Sequence, residues 1–195
     1  MKDSSTQLTS TLLNVGCGTH YAAGWLNTDY VFSDPITPDL VVDSSDPYPF
    51  DDNTFDAVYM GHVLEHIPWN DIPACLQTIN RILKPGCPVM VVVPDVFKSL
   101  HEWKNNAMDF FLLTTVMEHT PPGYPEVRSS FEHHWNCNEE RVFKVMSKVF
   151  DNCEMVSNRI PLDGATHFFD ENTGVNWPIN LWTAWQTAII GYAAV

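Results

Sequence analysis

Residues 11–18, TLLNVGCG, form an apolar run that stops at two glycines spaced two apart. Glycine accepts a positive φ and has no Cβ, so a turn of this kind lets the backbone approach a ligand closely. The run predicts a buried strand that leads into a cradle for a nucleotide-type cofactor. A second predicted strand, WLNTD, ends at Asp29, whose carboxylate is placed to accept hydrogen bonds from ribose hydroxyls.

The glycine pair departs from the dinucleotide-binding fingerprint, which would require glycine at the position of Tyr21. Three later segments, which follow in a fixed order, narrow the choice among families of cofactor-binding domains. They are PFDDNTFD at 49–56, HVLEH at 62–66 and LKPG at 83–86. With LNVGCG, these motifs resemble those of the small class I S-adenosylmethionine-dependent methyltransferases. The resemblance covers residues 11–95, with a looser match at the HWN of 134–136.

Hydrophobic spacing and the resemblance together predict an α/β fold of the Rossmann-like class I methyltransferase type. Its central sheet is mostly parallel, with helices on both faces and an antiparallel last strand. Further strands are predicted at 39–43, 55–60 and 87–93, helices at 70–83 and 138–150, and a closing hairpin from 153–157 and 166–169. We expect one domain over 1–195, with 1–10 as a flexible lead-in.

The resemblance implies S-adenosylmethionine as cofactor and S-adenosylhomocysteine as its product. It places Asp29 at the ribose, Asp43 and Ser44 at the adenine edge, and Gly61 and His62 beside the sulfonium. The full set of residues expected to bind the cofactor is Asn14, Gly16, Cys17, Gly18, Asp29, Asp43, Ser44, Gly61 and His62.

Two histidine-rich segments offer candidate catalytic groups. HVLEH also matches the inverted zinc-protease motif, in which two histidines on one helical turn would hold zinc. Here His62 directly follows a predicted strand and Pro68 closes the segment, so we expect no metal site. In EHHWNC, adjacent histidines of an extended segment point to opposite sides. The resemblance implies that His134 is the one that faces the pocket. The catalytic candidates are His62, Glu65, His66 and His134.

The charge distribution limits the partners. The formal net charge is −14, and no lysine or arginine occurs between Lys2 and Arg81. A polyanion would be repelled by such a surface, so we expect no nucleic-acid substrate. The five cysteines are an odd number without a C-x-x-C pair, and the first ten residues lack the apolar run of a signal. Both features fit a cytoplasmic location.

Residues 172–195 carry no charge and are rich in aromatic side chains. The stretch after Pro178 is compatible with a helix but falls short of the ~20 mostly apolar residues that a bilayer crossing needs. We expect no membrane span. An apolar helical face would instead form a homodimer contact or a lid over the acceptor, with ordinary core packing as the alternative.

The predicted function is transfer of the methyl group of S-adenosylmethionine to an oxygen or nitrogen nucleophile of a small-molecule or glycan-like acceptor. Two alternatives stay open. One is a non-catalytic protein that binds S-adenosylmethionine or a nucleotide and regulates a partner. The weaker one is a zinc hydrolase that uses His62, Glu65 and His66.

Overall fold

The computed structural model describes residues 10–30, 37–42, 48–105, 133–162, 166–179 and 186–195. Within these ranges lie nine strands and three α-helices. The strands are β1 (Leu12–Val15), β2 (Leu26–Asp29), β3 (Leu40–Val41), β4 (Ala57–Gly61), β5 (Pro88–Pro94), β6 (Asp151–Met155), β7 (Phe168–Asp170), β8 (Val175–Trp177) and β9 (Gln186–Tyr192). The helices are α1 (Ile72–Ile82), α2 (Val96–Lys104) and α3 (Glu139–Met146).

Seven of these strands form one sheet in the order β3-β2-β1-β4-β5-β9-β6. Strands β1 to β5 run parallel, whereas β9 is antiparallel to both of its neighbours. The chain moves outward from β1 to β3 and then returns to place β4 on the other side of β1. In such sheets a ligand crevice forms at the carboxyl ends of the strands where the order reverses. That point lies between the ends of β1 and β4.

Side chains of the sheet alternate between two hydrophobic clusters. One cluster joins Leu13, Val58 and Val91 to the buried faces of α1 and α3. The other joins Tyr59, Met90 and other residues of the opposite face to Trp25, Ile160, Trp177 and Ile179. Because both faces are covered, β5 is apolar throughout, and every one of its residues is buried. The predicted α/β fold with a mostly parallel sheet is confirmed.

The helix boundaries follow local chemistry. Asn138 caps α3 as the sequence predicts, since its Oδ1 accepts the Arg141 N–H at 2.9 Å. Asp95 was not singled out from the sequence, yet it caps two helices. One of its oxygens accepts the Phe97 N–H at the start of α2, and the other accepts the Glu139 N–H at the start of α3. This buried carboxylate therefore fixes α2 and α3 next to each other.

The carboxyl-terminal prediction of a helix is wrong. Residues Gln186–Tyr192 form strand β9, which pairs with β5 on one side and β6 on the other. Six of its seven residues are buried, so the core-packing alternative holds for this stretch. A strand buried on both faces carries a continuous apolar run, and such a run cannot be told from a buried helix by periodicity alone. The predicted lid and the predicted homodimer contact both required an apolar helical face, and residues 186–192 do not form one.

The predicted closing hairpin is also wrong. Residues 166–169 do not pair with 153–157, because β7 pairs with β8 in a separate two-stranded sheet. The antiparallel strand of the main sheet is supplied instead by β9, which inserts between β5 and β6. The predicted sheet architecture is confirmed, but its antiparallel strand comes from a later part of the chain than the prediction placed it.

A conservative substitution in β9 should report on its burial. Ile190 is fully buried among Met90, Trp177 and other residues of the second cluster. Ile190→Val removes one methylene group and should lower the free energy of unfolding by about 0.5–1.5 kcal/mol in urea denaturation. Val195→Ala, at an exposed position, is the control and should change it little. Equal, negligible effects of both substitutions would contradict the buried strand.

None of the helices in the described ranges is long and apolar enough to cross a membrane. Several predicted features lie outside these ranges. They are the lead-in up to residue 9 and the aromatic residues of 180–185.

Candidate cofactor and acceptor site

The turn after β1 has the conformation that its glycines allow. Gly16 and Gly18 adopt φ values of +63° and +51°. A Cβ at Gly16 would collide with the side chain of Val63, whereas one at Gly18 would meet no atom within 4 Å. Gly16 is thus required by packing against the segment after β4, and Gly18 leaves open space above the turn.

Asp29 at the end of β2 holds this turn in place. Its Oδ2 accepts the Gly18 N–H at 2.6 Å, and the Cys17 N–H donates to Thr28 O at 2.9 Å. The carboxylate and the glycine turn, inferred separately from the sequence, thus meet at one end of the sheet. A carboxylate beside a glycine turn is the arrangement expected for ribose recognition.

The side chains of Asn14 and Cys17 are buried and do not simply line a cleft. Asn14 is buried, and its Nδ2 donates to Asn27 Oδ1 at 2.9 Å and to His20 O at 3.1 Å. It therefore supports the turn from within rather than offering its amide to a ligand. Burial, followed by the charges of Asp29 and Asp39, raises the pKa of the Cys17 thiol to about 11, which disfavours the nucleophilic thiolate.

A polar network below the turn was missed in the sequence. Asn27 is fully buried, and its side chain bonds to the backbone of Ala22 and Trp25. Asp39 accepts from the Asn27 N–H and from the Tyr21 hydroxyl. Burial acts to raise the pKa of Asp39, but these hydrogen bonds outweigh it and hold the pKa below its usual value. The predicted adenine-edge residues Asp43 and Ser44 lie outside the described residues.

The contrast between the two glycines gives a stability test. Alanine at a positive φ costs roughly 1–2 kcal/mol at either position. Gly16→Ala also forces a Cβ into Val63, which should add about 1–3 kcal/mol to the loss of unfolding free energy. Gly18→Ala is the matched control because only the backbone cost applies there. Chemical denaturation of both variants measures the difference, and equal losses would contradict the close contact.

His62 follows β4 and occupies an unusual backbone conformation. Its φ is +57°, which is uncommon for a residue other than glycine, and its N–H donates to Val92 O at 2.8 Å. Strained conformations of this kind cluster at functional sites. At the preceding Gly61, a Cβ would meet the ring of Tyr59. The turn therefore presents an imidazole at the end of β4, next to the crevice.

Two side chains orient the His62 ring. Its Nδ1 lies 3.2 Å from Glu65 Oε1, and its Nε2 lies 2.5 Å from Gln186 Nε2. Burial acts to raise the pKa of Glu65, but the hydrogen bond from His62 and the charges of His62, His66 and His133 outweigh it and lower the pKa. The ionised carboxylate can only accept, so Nδ1 carries the proton and Nε2 accepts from the amide.

His20 also belongs to this region, although the sequence analysis did not single it out. Burial lowers the pKa of His20, and the nearby charge of His62 lowers it further. The glycine turn approaches the segment after β4, since a Cβ at Gly16 would meet the Val63 side chain. The glycine turn and His62 therefore lie beside the crevice between β1 and β4.

The segment 133–137 is attached to the turn Leu64–His66. The His134 N–H donates to Glu65 O at 2.8 Å, and Trp135 Nε1 donates to Leu64 O at 3.0 Å. The ring centroids of His66 and His133 are 4.9 Å apart. The ring of His133 thus meets the HVLEH segment. Catalytic roles for His66 and His134 stay predictions.

The inverted zinc-protease geometry is not formed. Leu64–His66 is a single 3-10 turn, and His62 lies before it at positive φ. His62 and His66 therefore do not project from one helical turn, and Glu65 Oε1 is paired with His62 Nδ1. This arrangement argues against the zinc hydrolase.

A pocket of ≈ 690 Å³ opens beside the His62 partner Gln186. Its polar wall includes Lys98 and Glu139, whose Nζ and Oε2 are 3.1 Å apart. Apolar walls come from Met155, Ile160 and Leu162. The volume suits a small organic molecule. Gln186 lines this pocket and also contacts the imidazole of His62, although the two residues are 124 positions apart in the sequence.

A family-wide sequence model described as a methyltransferase domain matches residues 4–147, well over half of the chain. The chain belongs to this methyltransferase domain family. The resemblance inferred from the four motifs is thereby confirmed, and with it S-adenosylmethionine as the cofactor.

Solved structures show the same fold as this methyltransferase. An S-adenosylmethionine-dependent methyltransferase from Archaeoglobus fulgidus is 15% identical, with 93% of this chain and 85% of that chain covered and a TM-score of 0.56. One from Thermotoga maritima is 16% identical, with 93% and 81% covered and a TM-score of 0.54.

Curated relatives of the methyltransferase match over a shorter range. The 2-phytyl-1,4-naphtoquinone methyltransferase of Nostoc punctiforme is 48% identical over 44 residues. That match spans 23% of this chain and 18% of the relative. It is too short to carry over an acceptor.

Proposed function

We propose that the protein transfers the methyl group of S-adenosylmethionine to an oxygen or nitrogen atom of a small-molecule or glycan-like acceptor. The observation that carries the proposal is the imidazole of His62, oriented by Glu65 at the crevice between β1 and β4. When bound, S-adenosylmethionine supplies an electrophilic methyl group on a sulfonium. The protein's own groups must align the acceptor and remove its proton.

His62 is suited to that proton transfer. With Nδ1–H donated to Glu65, the lone pair of Nε2 is available to an acceptor hydroxyl or amine that takes the place of the Gln186 amide. Nε2 would accept the proton as the acceptor atom bonds to the methyl carbon and the carbon–sulfur bond breaks, with S-adenosylhomocysteine as the leaving group. Oxygen and nitrogen nucleophiles carry such a proton. The protonated ring would remain paired with the Glu65 carboxylate until it loses the proton to water.

The neighbouring pocket supports an acceptor of modest size. Its volume of ≈ 690 Å³ lies within the range typical of small-molecule sites, and it mixes an ion pair with apolar walls. A hydroxylated ring or sugar could pack on the apolar wall and hydrogen-bond to Lys98 or Glu139. The strongly negative net charge disfavours a nucleic-acid acceptor.

The test is transfer of a labelled methyl group. Protein and labelled S-adenosylmethionine are incubated with fractions of a metabolite or glycan extract, and label is followed into each fraction. We expect label in at least one low-mass fraction, with Asp29→Ala, in which cofactor binding should be strongly weakened, as the control. If cofactor binds but no fraction gains label above this control, the non-catalytic regulatory protein becomes the better account.

A homodimer and a cytoplasmic location remain part of the proposal. Light scattering of the purified protein across a concentration range measures the first. A chain that stays monomeric at all concentrations removes the dimer. With residues 186–192 occupied inside the sheet, any dimer contact would have to use another surface.

A further inference from the structure

The buried carboxylate of Glu65 has one oxygen that the site described above does not use. Oε1 is paired with His62, but Oε2 is buried and has no hydrogen-bond partner among the described residues. Glu65 is fully buried. A buried, ionised oxygen without a partner is costly, and in folded proteins it commonly marks an undetected water or ion.

Two histidines lie near the Glu65 carboxylate. Glu65, His66 and His133 each offer one ligand atom, and these atoms lie within 4.8 Å of one another. Both histidines are partly exposed, so an ion can enter from solvent and their rings can adjust. Tetrahedral zinc with bonds of about 2.0–2.2 Å separates its ligand atoms by roughly 3.5 Å, so closure requires shifts on the order of 1 Å.

We propose that Glu65, His66 and His133 bind one divalent transition-metal ion of the zinc type. Two imidazoles and one carboxylate suit zinc, and three protein ligands leave one position for water or another oxygen ligand. The donor set differs from the inverted zinc-protease motif, because His133 replaces His62 and Glu65 serves as a ligand. The sequence-based expectation of no metal treated HVLEH and EHHWNC separately, so it did not combine His133 with Glu65 and His66.

The ion would join two parts of the chain that are distant in sequence. Backbone and indole hydrogen bonds already tie 134–135 to the turn Leu64–His66. A metal held by Glu65 and His66 on one side and His133 on the other adds a third tie. Because Glu65 also orients His62, the ion would fix that carboxylate without displacing the His62 bond.

Zinc binding to the full chain tests the proposal. The protein is stripped with a chelator, dialysed, and titrated with Zn²⁺ against a chromogenic competitor, while elemental analysis gives the stoichiometry. We expect one zinc per chain and a thermal midpoint that rises with zinc. His133→Ala should weaken binding by more than about 100-fold, since even outer-shell substitutions cost 10–100-fold.

Three further variants make the result specific. His134→Ala removes a neighbouring imidazole that is not a ligand and should keep one tightly bound zinc. His62→Ala should also keep it, whereas the inverted zinc-protease arrangement would lose it. Glu65→Gln preserves the side-chain shape and should weaken binding strongly. No binding at micromolar zinc, or stoichiometric binding that survives His133→Ala unchanged, would overturn the proposal.

Discussion

Replacing Asp29 by alanine should weaken binding of both S-adenosylmethionine and S-adenosylhomocysteine by about 100-fold or more. Hydrogen bonds to a charged group contribute roughly 1.5–3 kcal/mol each, and a carboxylate can accept one from each ribose hydroxyl. Two such bonds correspond to at least about two orders of magnitude in the dissociation constant. The substitution also removes the 2.6 Å bond to the Gly18 N–H, so the turn itself loses support.

Calorimetry with both ligands measures this effect. Asp29→Asn keeps one acceptor oxygen and should fall between the wild type and alanine. Because the two ligands carry the same ribose hydroxyls, they should lose affinity in parallel. Unchanged affinity of Asp29→Ala for both would overturn the assignment of the cradle.

Replacing His62 should separate catalysis from cofactor binding. General acid–base groups typically contribute about 100- to 10,000-fold to rate, so His62→Asn should lower kcat within that range. Asparagine is the suitable replacement because it tolerates the positive φ at this position. Affinity for S-adenosylhomocysteine should stay close to that of the wild type, since the Asp29 carboxylate and the glycine turn are intact.

The measurement combines steady-state kinetics on the acceptor found by labelling with calorimetry on the same protein. His167→Asn is the control, since His167 is exposed and lies in a loop before β7, in a different part of the chain. A His62→Asn variant with wild-type kcat would show that the acceptor is already deprotonated or loses its proton to another group.

The sequence predicted those parts of the site whose signals are local. The glycine turn and Asp29 each follow an apolar run, and parallel pairing of β1 with β2 then brings their ends together. The same reasoning located α1 and the cap of α3. In each case the physical cause, a periodic apolar face or a capping side chain, is contained within a few residues.

The missed features depend on contacts between distant residues. Gln186 reaches His62 only because β9 inserts next to β5, and apolar periodicity in a strand buried on both faces did not reveal that pairing. His133 joins His66 because the segment 133–137 folds over the turn Leu64–His66. The sequence analysis assigned Asn14 to cofactor binding, but its side-chain amide donates a hydrogen bond to the buried Asn27 side chain.

The most direct test of the cofactor cradle is a crystal structure of the protein with S-adenosylhomocysteine. The account predicts one ligand per chain in the crevice between the ends of β1 and β4. Its ribose hydroxyls should lie within hydrogen-bond distance of Asp29, and its sulfur should face His62. A ligand bound elsewhere, or one in this crevice with its ribose directed away from Asp29, would contradict the account.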